Sequence, residues 1–169
     1  EVNLSNLFNG SDEVIKINYK FKLEDFLYGT YNPLKDSISV IGKAYSKADV
    51  VHLDLNVSFT FNGFCDRCAS EIVRDYNIEI KKVLVAELAN EEDFDEYVVV
   101  KNETLNLDSF IEEEIQLFLP SKMLCKEDCK GLCSKCGQDL NQKECGCDTT
   151  YFDPRFEGLR ALFKVDEEV

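Results

Sequence analysis

Residues 51–88 read VHLDLNVSFTFNGFCDRCASEIVRDYNIEIKKVLVAEL. In the first eleven, Val51, Leu53, Leu55, Val57, Phe59 and Phe61 alternate with His52, Asp54, Asn56, Ser58 and Thr60. A period of two buries one face of a β-strand and leaves the other in water. YNIEIKKVLVAEL supplies an antiparallel return, which places GFCDRCAS at the tip or edge of a hairpin. Any chemistry of Cys65 and Cys68 is then carried on a rigid support.

Upstream, VIKINYKFKL (14–23) alternates in the same way, with Ile15, Ile17, Tyr19, Phe21 and Leu23 on one face. SISVIGKAY reads as a further strand and YVVV as a short one. In LDSFIEEEIQLFLP, Ser109 and Glu112 have capping-box spacing, Ile111, Ile115 and Phe118 form an apolar stripe, and Pro120 ends the helix. Near the end, Asp153 and Pro154 start a second short helix with Phe156, Leu159 and Phe163 on one face. The expected fold class is α+β: an antiparallel sheet or open barrel with a few helices, followed by a C-terminal cysteine-rich zinc module. The expected division is a β-rich domain over 1–120 and the module with its C-terminal helix over 121–169.

The chain has 169 residues, 44% hydrophobic and 31% charged, an ordinary globular balance with a core of useful size. A net charge of −14 opposes non-specific contact with phosphate backbones and anionic membranes, so basic proteins are easier partners. Residues 87–114 hold eleven acidic residues against one basic, most densely in ANEEDFDEY. With no apolar run of membrane length and no signal-like N-terminus, the expected location is a cytoplasmic, reducing compartment, where clustered thiols bind metal more often than they pair.

Of the eight cysteines, six lie within CKEDCKGLCSKCGQDLNQKECGC (125–147), among Lys, Asp, Gly and Asn, a poor setting for core residues. Cys133-x2-Cys136-Gly137 has the form of a zinc knuckle, and Cys65-x2-Cys68 is a second pair without the glycine. The preferred division is two closed four-thiolate sites: Cys133, Cys136, Cys145 and Cys147 locally, and Cys65, Cys68, Cys125 and Cys129 across the chain. One zinc held by the two Cys-x2-Cys pairs is the alternative, with disulfides, an iron–sulfur cluster or redox chemistry behind it. A catalytic zinc would keep an open position and usually has His or carboxylate ligands. The single histidine, His52, lies on the polar face of a strand, and HLD does not match the His-x-Glu of zinc deaminases. No enzyme is expected.

With CDRCAS upstream, the run CKGLCSKCGQDLN followed by Cys-x-Cys and DPR resembles the YceD family, the large ribosomal RNA subunit accumulation proteins of bacteria and plastids. That resemblance implies a non-enzymatic role in accumulation of large-subunit (23S) ribosomal RNA and in 50S assembly. The partner would be a pre-50S particle, met through ribosomal RNA or a basic ribosomal protein, with no membrane and no small-molecule substrate. Residues 121–147 carry five lysines against four acids, so Lys122, Lys126, Lys130, Lys135 and Lys143, with Arg67 and Arg155, are the candidate RNA contacts. The acidic stretch around Glu91, Glu92, Asp93, Asp95 and Glu96 would instead meet a basic protein. The competing function is a zinc-stabilised protein-interaction module in transcription or RNA turnover.

Overall fold

The structure is a computed structural model, and it describes residues 1–10, 13–48, 50–86 and 97–148. The alternating stretches form the strands expected of them. After a two-residue β1 (Val2–Asn3) and a one-turn α1 (Ser5–Phe8) come β2 (Val14–Phe21), β3 (Ile38–Lys47), β4 (Val50–Phe64) and β5 (Glu71–Val85), then β6 (Tyr97–Val99), β7 (Thr104–Leu105) and α2 (Leu107–Phe118). Strands β2 to β6 make one five-stranded sheet in chain order, curled into an open half-barrel, while β1 pairs with β7. Neither the small β1–β7 pair nor α1 is visible in the apolar periodicity, because two to four residues carry no period.

The β2–β3, β3–β4 and β4–β5 pairings are antiparallel as expected, with Val57 opposite Val40 on one side and Ile78 on the other. The β5–β6 pairing departs from this: Tyr97–Val99 runs parallel to Val83–Val85. A three-residue strand has no register preference of its own and lies where its connection brings it. The inward set of β4 is almost wholly buried, with Val57 and Phe61 at 0% exposure, and Ile38, Val40 and Ala44 of β3 lie beside it.

Helix α2 packs against the buried face of the sheet. It starts earlier than the capping box at Ser109 and Glu112 predicts: Asn106 is the cap, and its side-chain oxygen accepts from the N–H groups of Asp108 and Ser109 at 3.2 and 3.4 Å. The earlier start buries Leu107 and Phe110 with Ile111 and Ile115, each worth about 2 kcal/mol of transfer free energy. Phe118, expected on that stripe, is instead 44% exposed and meets Phe59 and Tyr76 edge-on. Lys82 of β5 pairs with Glu114 at 2.9 Å, tying helix to sheet. The helix stops at Phe118 because Leu119, which precedes Pro120, is held extended (ψ 132°). The helix expected after Asp153 lies outside the described residues.

Candidate metal centres

Beyond Pro120 the chain is fastened to the tip of the β4–β5 hairpin. The Tyr28 hydroxyl donates to the carbonyl of Pro120 at 2.6 Å. Asp66, between the first two cysteines, accepts from the Met123 N–H through its carboxylate at 2.5 Å, and its own N–H donates to the Met123 carbonyl at 2.9 Å. Met123 is 1% exposed, and Arg74 donates to the Leu124 carbonyl at 3.3 Å. These contacts bring Cys125 and Cys129 to Cys65 and Cys68, although 56 residues separate Cys68 from Cys125.

The eight thiols fall into two groups: a hairpin cluster of Cys65, Cys68, Cys125 and Cys129, and a tail cluster of Cys133, Cys136, Cys145 and Cys147. Within each, all four sulfurs lie within 4.8 Å of one another. The two Cys-x2-Cys pairs therefore sit in different clusters, which removes the single-ion arrangement that would join them. All eight cysteines are free, and the Cys65–Cys129 and Cys68–Cys125 sulfurs, 3.8 and 3.6 Å apart, are far outside disulfide length. Tetrahedral coordination with metal–sulfur bonds of about 2.3 Å requires sulfurs about 3.8 Å apart. The donor set and spacing fit one tetrahedral ion per cluster.

Each cluster rests on a knuckle of the same construction. The N–H of Ala69 donates to the Cys65 carbonyl at 2.9 Å, and the Cys65 N–H donates to Ser70 at 2.8 Å; Gly137 with Cys133, and Cys133 with Gln138, repeat both distances. The turn needs a residue in the left-handed region, and Gly137 (φ +73°) supplies it without strain. Ala69 adopts φ +57° in the other knuckle, so the missing glycine there does not prevent the turn.

Four thiols held this close cannot ionise independently. Burial pushes the Cys65 thiol up, but the backbone N–H groups of Cys125, Arg67 and Cys68 outweigh it and bring it down to about 6. The N–H groups of Cys136 and Lys135 bring Cys133 to about 6. Burial, then the neighbouring thiols Cys129 and Cys68, push Cys125 up to about 11, and a bond to Cys136, then burial, push Cys147 up to about 12. One readily formed thiolate beside reluctant partners is the signature of a crowded anionic site, and a divalent cation removes the conflict.

The clusters are joined. Arg67 donates from its guanidinium to the Cys129 carbonyl at 2.8 Å, and its own carbonyl accepts from Leu132 at 3.1 Å. A side chain at Gly131 would bring a Cβ to 3.0 Å from that carbonyl, so glycine permits the approach. Asn141 donates to the Cys129 sulfur at 3.4 Å and accepts from the Lys130 N–H at 2.9 Å, while Asp139 accepts from both its N–H and its side chain. Asn141 and Asp139 escaped the sequence reading, although Asp-x-Asn after a knuckle is a turn signal that could have flagged them.

The predicted RNA contacts are placed unevenly. Arg67 is engaged as described; Lys126 lies 3.8 Å from Asp128 and Lys130 3.9 Å from Glu144, both exposed pairs. Lys122, Lys135 and Lys143 are exposed and form no ion pair among the described residues. Arg155 and the acidic residues Glu91, Glu92, Asp93, Asp95 and Glu96 lie outside the described residues. His52 stacks on Tyr45 (5.3 Å) near the start of β4, roughly 40 Å of strand from Cys65 and remote from both clusters. Among the described residues, no helix is long and apolar enough to cross a membrane.

Comparison with known proteins identifies relatives of this chain. The chain is 25% identical over 158 residues to "Uncharacterized protein YlbN" of Bacillus subtilis, covering 93% of this chain and 89% of that one. It is 32% identical over 100 residues to "Uncharacterized protein Rv2926c" of Mycobacterium tuberculosis and to "Uncharacterized protein Mb2951c" of Mycobacterium bovis, covering 57% of this chain and 48% of theirs. No solved structure matches. The family model described as "Large ribosomal RNA subunit accumulation protein YceD" matches residues 53–163, from the outgoing strand of the hairpin through both cysteine clusters, and the chain belongs to that family.

Proposed function

We propose that this chain is a non-enzymatic factor for accumulation of 23S ribosomal RNA and assembly of the 50S subunit, with a zinc ion in each cysteine cluster as a structural element. The observation that carries the non-enzymatic part is the donor set. Four convergent thiolates fill a tetrahedron and leave no position for water or substrate, whereas a catalytic zinc keeps one open. Zinc suits such a set because it has no redox chemistry and accepts tetrahedral sulfur. The family description supports the ribosomal role. In this reading residues 1–120 are a platform and 121–169 a module whose folding the metals complete, as small metal-bound modules with little core require.

The partner is an assembly intermediate, met through ribosomal RNA or a basic ribosomal protein, because the field of a −14 chain opposes loose association with naked RNA. Depletion should lower 23S RNA and 50S particles, and the tagged protein should co-sediment with large-subunit precursors. A normal subunit profile after depletion would sink the proposal and favour a module in transcription or RNA turnover. Reversing charge at Lys126, Lys130 and Lys135 together tests the module as the contact. Neutralising Glu91, Glu92, Asp93, Asp95 and Glu96 tests the basic-protein route.

A further inference from the structure

The sheet has a second face, opposite in parity to the one covered by α2 and the cysteine module, and its charge is unlike that of the chain. On β2 and β3 the outward positions carry Lys16, Lys20, Lys43 and Lys47 and no carboxylate, within a chain of net charge −14. None of the four forms an ion pair among the described residues. Among the carboxylates of this face, on β4 and β5, Asp54 is the register partner of both Lys43 and Lys81, Asp75 accepts from the Thr60 hydroxyl at 2.7 Å, and Glu79 is taken up by Lys81 at 2.7 Å.

Lysines on an edge strand protect it from pairing with other chains, which accounts for Lys16 and Lys20 on β2. It does not account for Lys43 and Lys47, because β3 lies between β2 and β4. Moreover, Lys16 sits directly opposite Lys43, and like charges facing each other across a strand pair are destabilising. Asp54 faces Lys43 from β4, but it lies opposite Lys81 as well, so one carboxylate is shared among these lysines and an external polyanion would relieve the remaining repulsion. Beside the lysines, Tyr45 and His52 are register partners stacked at 5.3 Å with ring planes 20° apart, and the Lys43 ammonium lies 4.6 Å from the Tyr45 ring. Ile41, 57% exposed, continues the surface toward Lys20.

We infer that the outer face of β2 and β3, with the Tyr45–His52 pair at its end, is a binding platform for single-stranded RNA. The lysines follow the phosphates, and the aromatic pair and Ile41 receive unpaired bases. From the Lys20 row to Lys47 the face runs about 27 Å, suited to the lower part of the roughly 4–16 nucleotide range of such platforms. A duplex hides its base faces and would gain only the phosphate contacts. The choice of RNA as the polyanion rests on the ribosomal reading above; the lysine and aromatic placement does not.

The test uses the full metal-loaded chain and a labelled 12-nucleotide RNA of mixed sequence, followed by fluorescence anisotropy at 50 and 200 mM salt. Lys16→Gln/Lys43→Gln/Lys47→Gln should weaken binding at least tenfold and lower the salt slope by about two. Tyr45→Ala should weaken it several-fold and Tyr45→Phe should not, while the module variant with reversed Lys126, Lys130 and Lys135 should bind this oligonucleotide as the parent does. Metal content and melting temperature, which the triple variant should not lower, show that each variant is folded. Unchanged affinity in the triple variant, equal binding of a duplex of the same sequence, or loss of poly-glutamate binding in place of RNA binding would each overturn the inference. The last would assign the face to an acidic protein. A normal ribosome profile after depletion would remove the proposed function and leave the oligonucleotide result standing.

Discussion

The two cysteine clusters share a knuckle but differ in their settings. In the hairpin cluster Cys65, Cys68 and Cys129 are buried at 3, 9 and 1% exposure and belong to the same apolar core as β4 and α2. In the tail cluster only Cys133 is buried, and Cys136 is exposed. The first cluster closes a loop of more than fifty residues between strand and tail; the second closes within fifteen. Identical local hydrogen bonding therefore carries different weight: one cluster fastens the tail to the sheet, and the other shapes the tail alone.

The comparison is broken most directly by losing one ligand from each cluster. Structural zinc contributes about 10–16 kcal/mol in small modules, as much as the roughly 5–15 kcal/mol that holds a whole domain together. Cys129→Ser should lose one equivalent of metal and lower the melting temperature by on the order of 15 °C, because a buried ligand, its neighbours and the docking of Met123 go with it. Cys136→Ser should also lose one equivalent but shift the melt by less than about 5 °C. Similar shifts in the two variants, read by calorimetry and elemental analysis, would mean the clusters do not differ as their burial says.

Metal removal sharpens the same contrast in time. A chelator should strip the tail cluster at least tenfold faster than the hairpin cluster, giving two resolved phases in a chromogenic assay; a single phase would contradict it. Acid acts on both. The thiols of Cys65 and Cys133 are depressed from 9.0 to about 6, so the stabilisation of their thiolates is full above pH 9 and lost as pH falls through 6. Metal retention should accordingly be steady at pH 7.5 and fall steeply between pH 6 and 5, as dialysis at stepped pH would show.

Smaller effects come from the residues that link and shape the clusters. Asn141→Ala removes the donor to the Cys129 sulfur and should cost about 1–2 kcal/mol, with roughly tenfold weaker metal retention, read as a melt shift and by chelator competition. The two knuckles supply the smallest and most specific comparison. Ala69→Gly relieves a left-handed alanine and should stabilise by up to about 1 kcal/mol, whereas Gly137→Ala should destabilise by about the same amount. Opposite signs in denaturant titrations are the expected result.

Much of the architecture was legible in the chain because it is periodic or closely spaced. Alternation over 51–61 and 14–23 specified two strands and their buried faces, and knuckle spacing marked Cys133 and Cys136. Where the reading went astray, a distant partner made the decision. Helix α2 begins at Leu107 rather than near Ser109 because two local caps compete, Asn106 and Ser109, and the apolar surface of the core, which takes up Leu107 and Phe110, selects the earlier one. Ala69 holds a conformation that its own propensity disfavours because four thiols, the strand ends and Met123 converge around it. The pairing of Cys65 and Cys68 with Cys125 and Cys129 could be proposed by counting pairs. Only the tertiary structure brings the four together, through Asp66, Arg67 and Tyr28. The basic character of the outer sheet face is likewise invisible along the chain, where its lysines are scattered over 32 residues. Strand register assembles them on one surface because side chains two apart share a face and paired strands align their rows.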